Sequence, residues 1–263
     1  MQPTQVPRPD IRLPERLEDS DLFLDDPITI FEVEKVLPPR LYAALSRTFP
    51  ESTQFSRRYQ RGGKLFFNLG HPEFQQFVGR YPAWYALYAW FASAETLARL
   101  KRLADPFLLH RPEEERRAWV YPAPPGSPEP DTGDEATPVR PGFEFSALTD
   151  GDSIPPHTDL PKKLLSLMLY FPDPDLPALE ACGTSFYRAR PGGETRLDWD
   201  PKMMSEAESA DFLAGHEPYF RSAFTPNKLV GFLKSEVSWH AVPTLDLPPG
   251  RARKSINLNI YLR

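Results

Sequence analysis

Arg253-Lys-Ser-Ile-Asn-Leu-Asn-Ile-Tyr-Leu262 alternates polar and apolar side chains along most of its length. Successive side chains of a strand point to opposite faces. Arg253, Ser255, Asn257 and Asn259 therefore share one face, and Lys254, Ile256, Leu258, Ile260 and Leu262 share the other. Working back from this strand, short apolar or alternating runs recur at 143–147, 164–171, 184–188, 228–233 and 237–242, separated by Pro- and Gly-containing turns. Several short strands with no helices between them point to a β-sandwich, barrel or jelly roll.

The chain before residue 142 reads differently. Residues 1–25 are polar and contain several prolines, the composition of a surface-draped arm. Residues 26–118 read as mostly helical. Pro38-Pro39 precedes a short amphipathic helix that stops near Pro50. Phe77, Trp84, Leu87, Trp90, Phe91 and Leu97 then recur at helical spacing, with Pro82 dividing the stretch in two. Residues 119–141 are dense in Pro, Gly and acid, the composition of a loop that buries no core, whether insertion or lid. Residues 142–263 form the β-rich core, and 26–263 are expected to make one domain.

The composition narrows the function classes. The chain has 263 residues, 40% of them apolar, which is enough for a substantial core. Its net charge of −5 comes from interspersed acids and bases, with no basic stripe for nucleic acid. A single cysteine, Cys182, excludes an intrachain disulfide and fits a reducing compartment. No apolar run approaches membrane-helix length, and residues 1–10 lack a basic-then-apolar leader. A cytoplasmic location is the expectation.

His157-Thr-Asp159 projects an imidazole and a carboxylate to the same side of an extended segment, stiffened by Pro155 and Pro156. His240 lies in a second strand-like run. Two imidazoles and one carboxylate suit the facial triad of non-haem Fe(II) oxygenases, and zinc accepts the same set. His-x-Asp alone is weak, since a surface His beside a solvated Asp fits it as well. Arg253 and Ser255 offer a guanidinium fork and a hydroxyl to a carboxylate. A solvated polar face, within the basic cluster 251–254, fits the same pattern.

In this order, His157-x-Asp159, His240 and Arg253-x-Ser255 resemble the Fe(II)/2-oxoglutarate-dependent oxygenases, and within them the prolyl-hydroxylase-like branch. Phe143-Glu-Phe-Ser, Leu167-Met-Leu-Tyr-Phe, Cys182-Gly-Thr-Ser-Phe-Tyr and Pro226-Asn-Lys-Leu-Val-Gly-Phe match the flanking segments. The likeness covers residues 142–263 and departs from the family where Cys182 stands in place of a common Gly. It implies a double-stranded β-helix (jelly-roll, cupin-like) core packed against N-terminal helices. It also implies Fe(II) held by His157, Asp159 and His240, with 2-oxoglutarate bound by Arg253, Ser255 and Tyr170. O₂ would be consumed, succinate and CO₂ released, and ascorbate would be a supporting reductant.

The implied reaction is hydroxylation of an unactivated C–H bond in a small molecule or peptide. Desaturation and cyclisation stay open, and Asp159 disfavours halogenation because related halogenases lack that carboxylate. The alternatives are a hydroxylase of a protein residue and a cupin-like protein binding a non-redox metal. Neither membrane nor nucleic acid is an expected partner, and oligomeric state is open. Outside the motif, His71, His110 and His216 are expected to be surface or structural, with His216 in a loop. Cys182 reads as a small buried hydrophobe, and Trp239 as packing between sheet and helix. Lys162 and Lys163 read as a solvated turn.

Overall fold

In a computed structural model, twelve strands and five α-helices are described over residues 9–108, 139–176, 180–193 and 204–262. Prolines and a serine mark where the helices begin. Pro39, Pro72 and Pro82 each open a helix: α1 (Pro39–Arg47), α2 (Pro72–Arg80) and α3 (Pro82–Phe91). At a first helical position the missing N–H costs nothing, because that donor has no intrahelical acceptor. Ser93 caps α4 (Ala94–Ala104) by accepting from the Thr96 amide. The long helical run therefore breaks twice, at Pro82 and Ser93. A fifth helix, α5 (Glu206–Gly215), starts in a capping box formed by Ser205 and Glu208.

The first half is less helical than its composition suggests. It supplies β1 (Leu22–Leu24), β2 (Ile30–Val33), β3 (Arg57–Arg58) and β4 (Leu65–Asn68). The second half supplies β5 (Val139–Leu148), β6 (Ile154–His157), β7 (Lys163–Tyr170), β8 (Thr184–Ala189), β9 (His216–Ser222), β10 (Leu229–Leu233), β11 (His240–Val242) and β12 (Arg253–Leu262). All ladders between these strands are antiparallel. They form an eight-stranded sheet ordered β1-β2-β10-β7-β12-β5-β4-β3 and a four-stranded sheet ordered β6-β11-β8-β9.

Three readings of the first half and the loops need correction. The arm does not merely drape the surface, since Ile11, Leu13 and Leu17 are buried and β1 pairs with β2. Residues 26–118 are not mostly an accessory to the β-core, because β2 bonds to β10 and β4 to β5. His216 opens a strand rather than lying in a loop. The Pro-rich loop lies outside the described residues up to 138, and 139–141 already belong to β5.

The face of the large sheet turned away from the small one meets the helices. Ile256, Leu258 and Ile260 of β12 join Phe143 and Phe145 of β5 and the apolar sides of α1 to α4 in one core. Phe145 is fully buried, with its ring centroid 4.9 Å from Trp84 and 5.0 Å from Phe77. Such pairs add about 0.5–1.5 kcal/mol each beyond area burial. The opposite face packs on the small sheet through Phe186, Phe224 and Phe232.

A local device ties the chain's beginning to this frame. Asn227, with φ 59°, brackets Leu37 by accepting from its amide at 2.9 Å and donating to its carbonyl at 2.8 Å. Asn is among the few residues that adopt this left-handed conformation readily.

Candidate metal centre and its cavity

The edge strand β6 carries His157 at its end, and β11 carries His240 at its start. The two are cross-strand partners, His240 opposite His157. Asp159 follows two residues beyond β6. Ligand atoms of His157, Asp159 and His240 lie within 4.8 Å of one another, and the imidazole centroids are 4.2 Å apart. Among the described residues these three are the one such grouping of His, Cys, Asp and Glu.

Both rings are oriented by backbone. His157 Nδ1 lies 2.9 Å from the Pro155 carbonyl, and His240 Nδ1 lies 3.0 Å from the Ser238 carbonyl. A carbonyl only accepts, so each Nδ1 carries the proton and each Nε2 keeps a free lone pair. Metal-binding imidazoles are typically fixed this way. Burial, followed by the neighbouring His157, pushes the His240 pKa down to about 3. Burial also lowers that of His157, against a rise from Asp159. Both rings are thus neutral near pH 7.

Burial alone would raise the Asp159 pKa, but Lys163 and the two imidazoles outweigh it and hold the carboxyl ionised, well below the usual carboxylate range. Lys163 Nζ donates to Oδ1 at 2.7 Å and Ser166 Oγ to Oδ2 at 2.6 Å. Lys163 therefore does not sit in a solvated turn: its side chain is 12% exposed and turned onto Asp159, whereas Lys162 is exposed. The tight turn at 160–162 that folds Lys163 back is not legible from the sequence. Two neutral imidazoles with inward lone pairs and one ionised carboxylate form a donor set that fits a divalent transition metal.

The triad opens into a cavity of about 760 Å³, lined also by Arg253, Ser255, Asn257 and Asn259. Arg253 is 2% exposed. It donates from Nε to the Cys182 carbonyl at 2.6 Å and from Nη2 to Thr184 Oγ1 at 3.2 Å. Its guanidinium lies against the rings of Phe224 (4.9 Å) and Tyr170 (5.3 Å). Among the described residues no carboxylate pairs with it, and burial lowers its pKa. Tyr170 is fully buried beside Arg253 and bonds Thr184 Oγ1 at 2.9 Å. Thr184 and Ser255 line the cavity in this corner, and Tyr170 does not. The alternation of 184–188 put Thr184 on a strand, but nothing in the sequence marked it as a neighbour of Arg253.

The remaining candidates fall as follows. His216 is buried and structural, stacked on Phe212 at 4.0 Å with Nδ1 at the Phe212 carbonyl. His71 is half-buried and accepts from the Asn68 amide. His110 lies outside the described residues. Cys182 is buried and free, and Trp239 packs on Phe212 of α5 at 4.9 Å. No helix among the described residues is long and apolar enough to cross a membrane.

No family model matches this chain, and no curated protein matches it. Among solved structures, it is similar to a Pseudomonas putida prolyl-4-hydroxylase, with a TM-score of 0.40 and 14% identity over 89% of this chain and 92% of that one. It is also similar to a Trichoplax adhaerens prolyl hydroxylase in complex with a hypoxia inducible factor oxygen degradation domain peptide fragment. That match has a TM-score of 0.44 and 10% identity over 88% of this chain and 83% of that one.

Proposed function

We propose that this protein is an Fe(II)- and 2-oxoglutarate-dependent dioxygenase that hydroxylates an unactivated C–H bond, and that its two facing sheets are a double-stranded β-helix. The reading rests on one observation: a buried guanidinium without an acidic partner among the described residues shares a cavity with two oriented imidazoles and an ionised carboxylate. An unpaired buried charge is costly, so Arg253 calls for an anion. Simple metal storage needs no such group, which disfavours a cupin-like binding protein.

His157 and His240, through Nε2, and Asp159 would hold the metal. Arg253 would form the bidentate contact with the far carboxylate of 2-oxoglutarate, with Ser255 beside it and Thr184 and Tyr170 fixing the guanidinium. When bound, iron and 2-oxoglutarate supply the oxidising chemistry with O₂, yielding succinate and CO₂. The chain's own part is orientation and shielding. The Pro155 and Ser238 carbonyls set the imidazole planes, and Lys163 and Ser166 hold the carboxylate. Phe232 and Met168 line the wall beside them and keep it apolar. Residues 26–108 belong to the same domain as the core, because β2 and β4 hydrogen-bond into its large sheet.

The test is to strip the protein of metal, restore Fe(II) with 2-oxoglutarate and ascorbate, and measure succinate against a panel of small metabolites and peptides. Succinate formation that needs Fe(II) and is lost in Asp159→Ala supports the reading. Tight zinc binding together with no affinity for 2-oxoglutarate overturns it.

A further inference from the structure

The part of the cavity walled by β5 and the β3–β4 segment has no task in that reading. Glu144 of β5 lies there, opposite Asn257 of β12. Both of its side-chain hydrogen bonds fall on one oxygen. Lys64 Nζ donates to Oε1 at 2.6 Å, and Asn257 Nδ2 donates to Oε1 at 3.0 Å. Oε2 accepts from nothing among the described residues. Nor is it sealed inside the protein, since the side chain is 15% exposed and lines the cavity. Burial alone would raise the Glu144 pKa, but Lys64 and the Asn257 amide outweigh it and hold the carboxyl ionised.

An ionised carboxylate offers about four lone-pair sites on its two oxygens. A desolvated ion pair that only tied Lys64 to β5 would gain by filling both of them. Here one oxygen stays idle on a cavity wall. Aromatic rings stand around it. Tyr59, stacked on Phe66 with centroids 4.4 Å apart, and Tyr261 line the same cavity. Burial above all, and also the charge of Glu144, raises the pKa of both phenols. In the same row of the sheet, two strand spacings of about 10 Å in all separate Glu144 from Met168 of β7. Ser166, two residues from Met168, holds Asp159. A small substrate fits in the space between Glu144 and the metal centre.

We infer that Glu144 selects the substrate, its Oε2 accepting a hydrogen bond from a neutral N–H or O–H group, an amide or a hydroxyl. The inference deepens the oxygenase reading and rests on it for the word substrate, whereas the acceptor stands on the geometry alone. A hydrogen bond to an ionised acceptor is about twice as strong as one between neutral groups. A methylated analogue would leave Oε2 unpaired in a desolvated site, which is how a polar site rejects a ligand lacking the donor. An ammonium is disfavoured, because the Lys64 ammonium on Oε1 already neutralises the carboxylate and repels a second cation.

The test uses the metal-free full-length protein and two matched pairs of neutral ¹⁹F probes. One pair is 4-fluorobenzamide and its N,N-dimethyl analogue; the other is 4-fluorobenzyl alcohol and its methyl ether. Line broadening of the ¹⁹F signal measures binding. The amide or the alcohol should bind saturably and about tenfold more tightly than its methylated partner, roughly one hydrogen bond to a charged group. In Glu144→Gln, Lys64 and Asn257 hold the amide oxygen in place of Oε1, so an NH₂ donor replaces the Oε2 acceptor. The preference should vanish while the methylated probes bind as before. Glu144→Met combined with Lys64→Met removes the whole ion pair and should have the same outcome, with circular dichroism checking that each variant is folded. No saturable binding, no preference for the N–H or O–H member in either pair, or a preference that survives both variants overturns the inference. A failed 2-oxoglutarate titration beside a Glu144-dependent preference would remove the oxygenase reading and leave the acceptor site standing.

Discussion

The two faces of β12 are built from alternate residues of one strand, yet they do opposite things. Ile256, Leu258 and Ile260 are buried with the helices in one hydrophobic core. Arg253, Ser255, Asn257 and Asn259 line a cavity, and Arg253 there is buried with no acidic partner among the described residues. The first face lowers the free energy of the fold. The second raises it, because buried polar groups without full partners cost stability. Such a cost persists where a ligand meets it, so the contrast separates the residues that make the structure from those that use it.

Substitutions on the two sides should separate cleanly. His240→Ala has the largest expected effect: metal binding is lost at micromolar concentrations, while the thermal midpoint of the metal-free protein holds or rises. Equilibrium dialysis and calorimetry check this. Phe145→Ala acts on the other face and should destabilise by about 3–5 kcal/mol, the usual range for a large buried ring. Chemical denaturation measures that loss, and metal affinity of the folded fraction should be unchanged. If Phe145→Ala instead weakened metal binding as much as His240→Ala does, the two faces would not be independent.

A smaller effect comes from pH. Burial, and next the neighbouring His157, lowers the His240 pKa to about 3 from an ordinary 6.5. Between those values the unfolded chain takes up a proton on this ring that the folded chain refuses. Stability therefore falls as pH drops through that window, by about 2 kcal/mol at pH 5 from this group. Asp159 adds nothing over that range, since its shift acts only where an ordinary carboxylate begins to protonate. Melting curves of the metal-free protein from pH 7 to 5 should show the slope, and His240→Gln should flatten its share. A slope unchanged in that variant would mean that His240 is not the group responsible.

The same contrast explains what the sequence made legible. Period-two alternation exposed both faces of β12, and a two-residue step placed His157 and Asp159 together. Those are short-range signals. The strands that escaped notice have little intrinsic signal. β6 contains Pro155 and Pro156, which argue against a strand, but it lies at a sheet edge, where a missing N–H costs no ladder bond. β1, β3 and β9 are edges too, and β3 is only two residues long. β2 is buried at every position and shows no alternation. Lys163 on Asp159 and Thr184 on Arg253 depend on how turns return the chain, which no local pattern records.

The most direct measurement is a calorimetric titration of 2-oxoglutarate into Mn(II)-loaded wild-type protein and Arg253→Met. One molecule should bind per chain only when metal is present. Affinity should fall about a hundredfold in the variant, in line with the loss of a desolvated charge pair, while Mn(II) binding is retained. Absence of binding to the wild type, or equal affinity in both proteins, would contradict the pairing of guanidinium and metal site in one cavity.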